Sequence, residues 1–96
     1  MAFDEKSLSV NSSRAGVVLV TIAGTPADIS PSTQSCRSCL VAKASGTTVY
    51  MNINGAATSS TWILSTSPIS VPVQNLDQLH FLGAAGAETI QIMWRD

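Results

Sequence analysis

Apolar residues in this chain come in short bursts dense in β-branched side chains, each ended by a cluster of Gly, Pro, Asn or Ser. Bursts of that length are too brief for stable helices, but they fit strands that bury one face or both. Seven can be placed. Gly16 to Ala23 reads as a first central strand, ended by Gly24-Thr-Pro26, and Ala27 to Ser35 reads as a surface loop. Cys36 to Lys43 is the second strand. Thr48 to Ile53 alternates, with Val49, Met51 and Ile53 on one face, and runs into Asn54-Gly55, a strong hairpin dipeptide whose return strand is Thr61 to Leu64. Ile69 to Val73 alternates around Pro72, which lacks the N–H a central ladder needs, so that strand belongs at an edge or carries a bulge. Asn75-Leu-Asp77 makes a corner and Leu79 to Leu82 is a short strand. After the loop Gly83-Ala-Ala-Gly86, Thr89 to Trp94 closes the domain with Ile90, Ile92 and Trp94 facing inward.

This spacing predicts an all-β chain: a single small antiparallel β-sandwich, jelly-roll-like, or a barrel, of about seven strands. A chain of 96 residues has surface-to-volume geometry for one core only. The sandwich domain is expected over residues 15–96. Residues 1–14, polar and Ser-rich, read as an N-terminal arm or edge strand.

Charged residues make up 11% of the chain against the usual quarter or so, while hydrophobic content is an ordinary 45%. Ser and Thr fill the gap, and their hydroxyls desolvate at lower cost than ions, so a partner can cover such a surface without stranding charge. Ser/Thr-rich β proteins in general share this composition, and the two readings stand side by side. The net charge is −1, and Lys6, Arg14, Arg37, Lys43 and Arg95 are spread along the chain, so no basic stripe is present to neutralise phosphates. Nucleic acid is not expected as a partner. Nor is a membrane: no apolar stretch reaches spanning length, and residues 1–6 lack the basic start and apolar block of a signal peptide. Synthesis in the cytoplasm is expected, with no glycan at Asn11-Ser12-Ser13.

Cys36-Arg-Ser-Cys39 has half the spacing of a zinc site, but the chain offers only His80 as a further soft ligand and no other cysteine. The apolar run after Cys39 is strand-like, not the helix start that activates a redox thiol, so both cysteines read as small buried or half-buried groups. A disulfide between them requires Cys36 to lie in a turn. Asp77 and His80 are near neighbours and serines are abundant, which leaves a small hydrolase or carbohydrate-binding fragment as a rival, without a nucleophile elbow to support it. The six acids are scattered and form no calcium loop. No catalytic, cofactor-binding or metal-binding residue is assigned, and no enzyme activity is expected. The candidate interface residues are Phe3, Leu8, Val10 and Arg14 on the arm, together with Trp62; Trp62 and Trp94 read either as core pieces, the favoured reading with at least one of them buried, or as exposed anchors of a type enriched at interfaces.

From Cys39 to the C-terminus the chain resembles small virion proteins encoded near the capsid genes of tailed bacteriophages. The matching pieces are Cys39-Leu-Val-Ala-Lys-Ala44, Thr48-Val-Tyr50, Val71-Pro-Val-Gln-Asn-Leu76, Leu79-His-Phe81, Gly83-Ala-Ala-Gly86 and Ile90-Gln-Ile92. The Met51 to Gly55 hairpin and the paired Cys36 depart from that pattern. The resemblance implies a capsid decoration or cement protein that sits on the outside of an icosahedral shell. It would bind the major capsid protein as a homo-oligomer, favoured as a trimer, and clamp neighbouring subunits, with residues 1–14 ordering on the shell. It carries over no functional residue. The alternative is a tail, baseplate or receptor-binding fibre module of the same fold.

Overall fold

A computed structural model describes residues 14–22 and 28–96. The seven expected strands are all present: β1 (Ala15–Thr21), β2 (Ser38–Ser45), β3 (Val49–Ile53), β4 (Trp62–Leu64), β5 (Ile69–Val71), β6 (Leu79–Gly83) and β7 (Thr89–Arg95). They form two separate antiparallel sheets, so the architecture is a small β-sandwich and not a closed barrel. Sheet A has the order β1-β7-β2-β5 and sheet B the order β4-β3-β6.

The inner faces follow the two-residue period of each strand. From sheet A, Val20, Val41, Val71, Ile90 and Ile92 are buried; from sheet B, Val49, Met51, Leu64, Leu79 and Phe81 meet them. β7 lies inside its sheet, paired to β1 on one side and β2 on the other, and Ile90 and Ile92 are fully buried. Trp94 shares their face but is half-buried. Its indole lies over Gly16 on β1, where an added Cβ would come within 2.7 Å of Nε1.

The Gly16–Ala23 burst predicts a central strand; among the described residues β1 instead ends sheet A, and its outward residues Val17 and Leu19 are exposed. A continuous apolar run can mean burial on both faces; here one face is core and the other is bare surface. The expected edge position of the Pro72 segment is observed, because β5 closes sheet A and ends at Val71.

The corner before β6 is a 3-10 turn at Leu76–Gln78 with reciprocal capping. Asn75 Oδ1 accepts from the Asp77 N–H at 3.2 Å, and Gln78 Oε1 accepts from the Asn75 N–H at 2.9 Å. Asn54, with φ 60°, makes the left-handed corner after β3, and its side-chain oxygen accepts from Gln78 Nε2 at 3.1 Å. The two corners brace each other.

Candidate protein interface

Among the described residues, the outward side of sheet A carries the largest set of exposed apolar side chains. Strand register puts Val17, Met93 and Leu40 in one row across β1, β7 and β2, and the row continues to Ser70 on β5. Two residues along the strands lies the row Leu19, Gln91 and Ala42; two residues the other way lies Ala15, Arg95 and Ser38. Val17, Leu19 and Met93 are each more than half exposed, at 67, 59 and 55%, and Leu40 is exposed at 42%. Isolated exposed apolar residues are unremarkable, but a contiguous patch on a monomer's surface is the usual mark of a contact site. The face carries one charge, Arg95. Beyond it, at the border, Arg14 Nε donates to Asp96 Oδ2 at 2.9 Å, and the Asp96 N–H donates to the Arg14 carbonyl at 2.8 Å.

A second apolar surface belongs to β4, an edge of sheet B. Trp62 is 60% exposed and Ile63 63%. Trp62 lies beside Met51 in register and flanks a depression between the β4 and β5 edges that Ile69, Val71 and Pro72 complete. Ile63 points the opposite way, in a row with Tyr50 and Leu82 on the outer side of sheet B. Of the expected interface residues, Trp62 is therefore an exposed apolar side chain and Arg14 an ion-paired border residue. Phe3, Leu8 and Val10 lie outside the described residues. Val17, Leu19, Leu40 and Met93 were not singled out from the sequence. The signal was there in two forms, an unbroken Val-Val-Leu-Val run and the break in alternation at Met93 of Ile90-Gln-Ile-Met-Trp94.

The titratable groups do structural work. Glu88 is fully buried: its carboxylate accepts the N–H groups of Ala85 at 2.8 Å and of Gly86 and Ala87 at 2.9 Å each, and the Thr47 hydroxyl donates to it as well. The Thr47 hydroxyl, with the backbone N–H donors, outweighs burial and holds the carboxyl down at about 2. Gly83 passes so close that a Cβ there would strike Glu88 Oε1, and Gly86 supplies the positive φ of 85° that turns the loop. This carboxylate ties the turn after β2 to the loop after β6 and so joins the two sheets at one end.

Cys36 and Cys39 are unbridged and buried. Their thiols donate to the Val73 and Val71 carbonyls at 3.3 and 3.7 Å, which sets both against the Val71–Val73 segment at the edge of sheet A. The bend at Arg37 lets two residues three apart both face inward. Burial, reinforced by Cys36, raises the Cys39 thiol to about 11, and burial also raises Cys36; both are thus kept as unreactive thiols. His80 meets Asp28, not Asp77: Nδ1 lies 2.9 Å from Asp28 Oδ2, while Asp28 Oδ1 accepts the Ala57 N–H at 2.8 Å. Asp77 is held in the 3-10 turn, and the nearby Ser30 hydroxyl donates to the Asp77 and Leu79 carbonyls, the former at 3.2 Å. The triad considered for the hydrolase reading is therefore not assembled from Asp77 and His80. Among the described residues, no group of three or more His, Cys, Asp or Glu side chains is placed to hold a metal, and no helix is long and apolar enough to cross a membrane.

No protein-family model matches the chain, and no curated protein matches it in sequence.

Proposed function

We propose that this chain is a structural virion protein of a tailed phage that binds the outside of the capsid and cements neighbouring capsid subunits, with the major capsid protein as its partner. The observation that carries the reading is the presence of two separate exposed apolar surfaces, the outer side of sheet A and the β4 edge of sheet B, where Trp62 and Ile63 project to opposite sides. A domain that links neighbours in a shell needs at least two contact surfaces, and a surface poor in charge can be covered without burying unpaired ions. Association also stabilises a small core by mass action, since contacts made only by the folded form shift the folding equilibrium.

The test is co-expression with the capsid genes of the same genome, followed by gradient sedimentation and electron microscopy of the particles. The chain is expected to travel with the shells and to give density on their outer surface. Trp62→Ala combined with Ile63→Ser is expected to weaken shell binding by roughly 30-fold or more, the scale of an interface hot spot. Recovery at the top of the gradient while shells form would remove the proposal. Density confined to the tail would move the chain to a tail or fibre role.

A further inference from the structure

We infer that the outer face of sheet A is where two copies of this chain pair, across a two-fold axis running along the Val17–Met93–Leu40 row. The inference stands on that face alone and does not depend on a virion role. A two-fold contact must be self-complementary, each residue meeting itself or an exchanged partner, and the pattern of this face meets that condition.

Outward residues two apart on a strand are separated by roughly 6.7 Å, so the row on either side of the axis swaps with the other when a copy is turned over. Leu19 then faces Ala15, large against small, and Gln91 faces Arg95, an amide oxygen opposite a guanidinium. Ala42 faces Ser38, two small residues. Along the axis itself Val17, Met93 and Leu40 meet their own copies, and Met93 is an unbranched side chain that adapts to a self-contact. The other in-plane axis, parallel to β7, would set Arg95 against Arg95 and is disfavoured by like charge. The arrangement that avoids this repulsion is also the one that pairs large with small.

Three outward residues on each of three strands, with Ser70 beside them, are fewer than the roughly 20 to 30 residues per side of a standard interface, so the contact is of the small class and the dimer is expected to be weak and concentration-dependent. Two such sheets stack with their strands roughly aligned, as inner sandwich faces do.

The experiment is the solution mass of the full chain, by light scattering over a concentration series, with three single variants. The wild type is expected as a dimer, twice 10.0 kDa. Met93→Glu, a substitution at a solvent-facing position of the single domain, is expected to raise the dissociation constant by roughly 30-fold or more, because the new charge meets its own copy. Stacked sheets lie about 10 Å apart, too far for a direct disulfide but within reach of a short thiol cross-linker spanning about 5 Å between sulfurs, so Val17→Cys is expected to be cross-linked to its own copy and Leu19→Cys is not, since Val17 meets itself and Leu19 does not. The two native thiols are buried and do not compete. A monomeric wild type, a trimer whose mass Met93→Glu leaves unchanged, or cross-linking of Leu19→Cys as readily as Val17→Cys would each overturn the inference. Shell binding by a chain that fails these tests would leave the capsid proposal intact, and a dimer that ignores shells would do the reverse.

Discussion

The two outer faces of the sandwich finish their surfaces in different ways. On sheet B, His80 is half-buried against Asp28, and Asp28 in turn receives the Ala57 N–H, so the chain covers part of that face with its own loops. On sheet A, the row of Val17, Met93 and Leu40 has no such cover among the described residues, and its exposed groups are methyls and methylenes that water solvates poorly. The polar part of a face can be completed within one chain by hydrogen bonds. An apolar face of this extent cannot, and the pairing inferred above is what would complete it.

The largest effect that can sharpen this contrast lies on one strand. Ile92 and Met93 are neighbours on β7, the first fully buried and the second 55% exposed. Ile92→Ala is expected to cost about 2 to 5 kcal/mol of folding stability through lost burial and the cavity left behind. A domain of this size has roughly 5 to 14 kcal/mol in all. Met93→Ser, measured in urea at a concentration low enough to keep copies apart, is expected to stay within about 0.5 kcal/mol of the wild type. A large loss for Met93→Ser in the isolated chain would show that the face is already covered, and the contrast between the two sheets would fail.

Next in size is Glu88, which serves both sheets at once. Glu88→Ala leaves three backbone N–H groups and the Thr47 hydroxyl without their acceptor, and roughly 2 to 3 kcal/mol is expected to be lost. Its folded-state pKa of about 2 lies below the ordinary 4.5. The native state therefore holds the proton less tightly than the unfolded chain, and the stabilisation is full above 4.5 and fades as pH falls from there toward 2. The urea midpoint of the wild type is expected to drop across that window, and Glu88→Gln is expected to flatten the drop. An equal acid slope in both would mean that other carboxylates set the acid limit.

These two sites also mark how far the sequence could be read. Strand number, the Asn54 turn, the capped corner at Asn75 and the edge position of the Pro72 segment were legible, because each depends on local period or on the backbone preference of one residue. The inward set Ile90, Ile92 and Trp94 followed from alternation alone. Glu88 was not legible as a buried group. Its burial depends on Gly83, Gly86 and Thr47 converging from separate loops, and a lone acid after a Gly-rich loop carries no local mark of that convergence. The sheet A face was hidden for a related reason. An unbroken apolar run such as Val17-Val-Leu-Val20 reads the same whether its second face meets the protein's own core or the surface, and only strand order separates the two. The His80 partner was missed because Asp28 lies far away in sequence and reaches it through the Ile29–Phe81 bridge, where the Ile29 N–H donates to the Phe81 carbonyl at 2.9 Å.

The smallest effect belongs to that pair. His80 and Asp28 keep a quarter to a third of their side-chain surface in contact with solvent, so water screens the contact and the carboxylate charge contributes at most about 1 kcal/mol through it. Asp28→Asn retains an oxygen for the Ala57 N–H and an amide for the imidazole, and its expected cost is accordingly below about 1 kcal/mol. Asp28→Ala removes both, stranding the N–H of the buried Ala57, and is expected to cost about 1 kcal/mol more than Asp28→Asn. The comparison is made by urea titration of the two variants side by side. If Asp28→Asn proved as damaging as Asp28→Ala, the charge itself would be holding the loop on sheet B. That face would then be completed by electrostatics instead of by backbone hydrogen bonding, and the account of how the two faces differ would have to change.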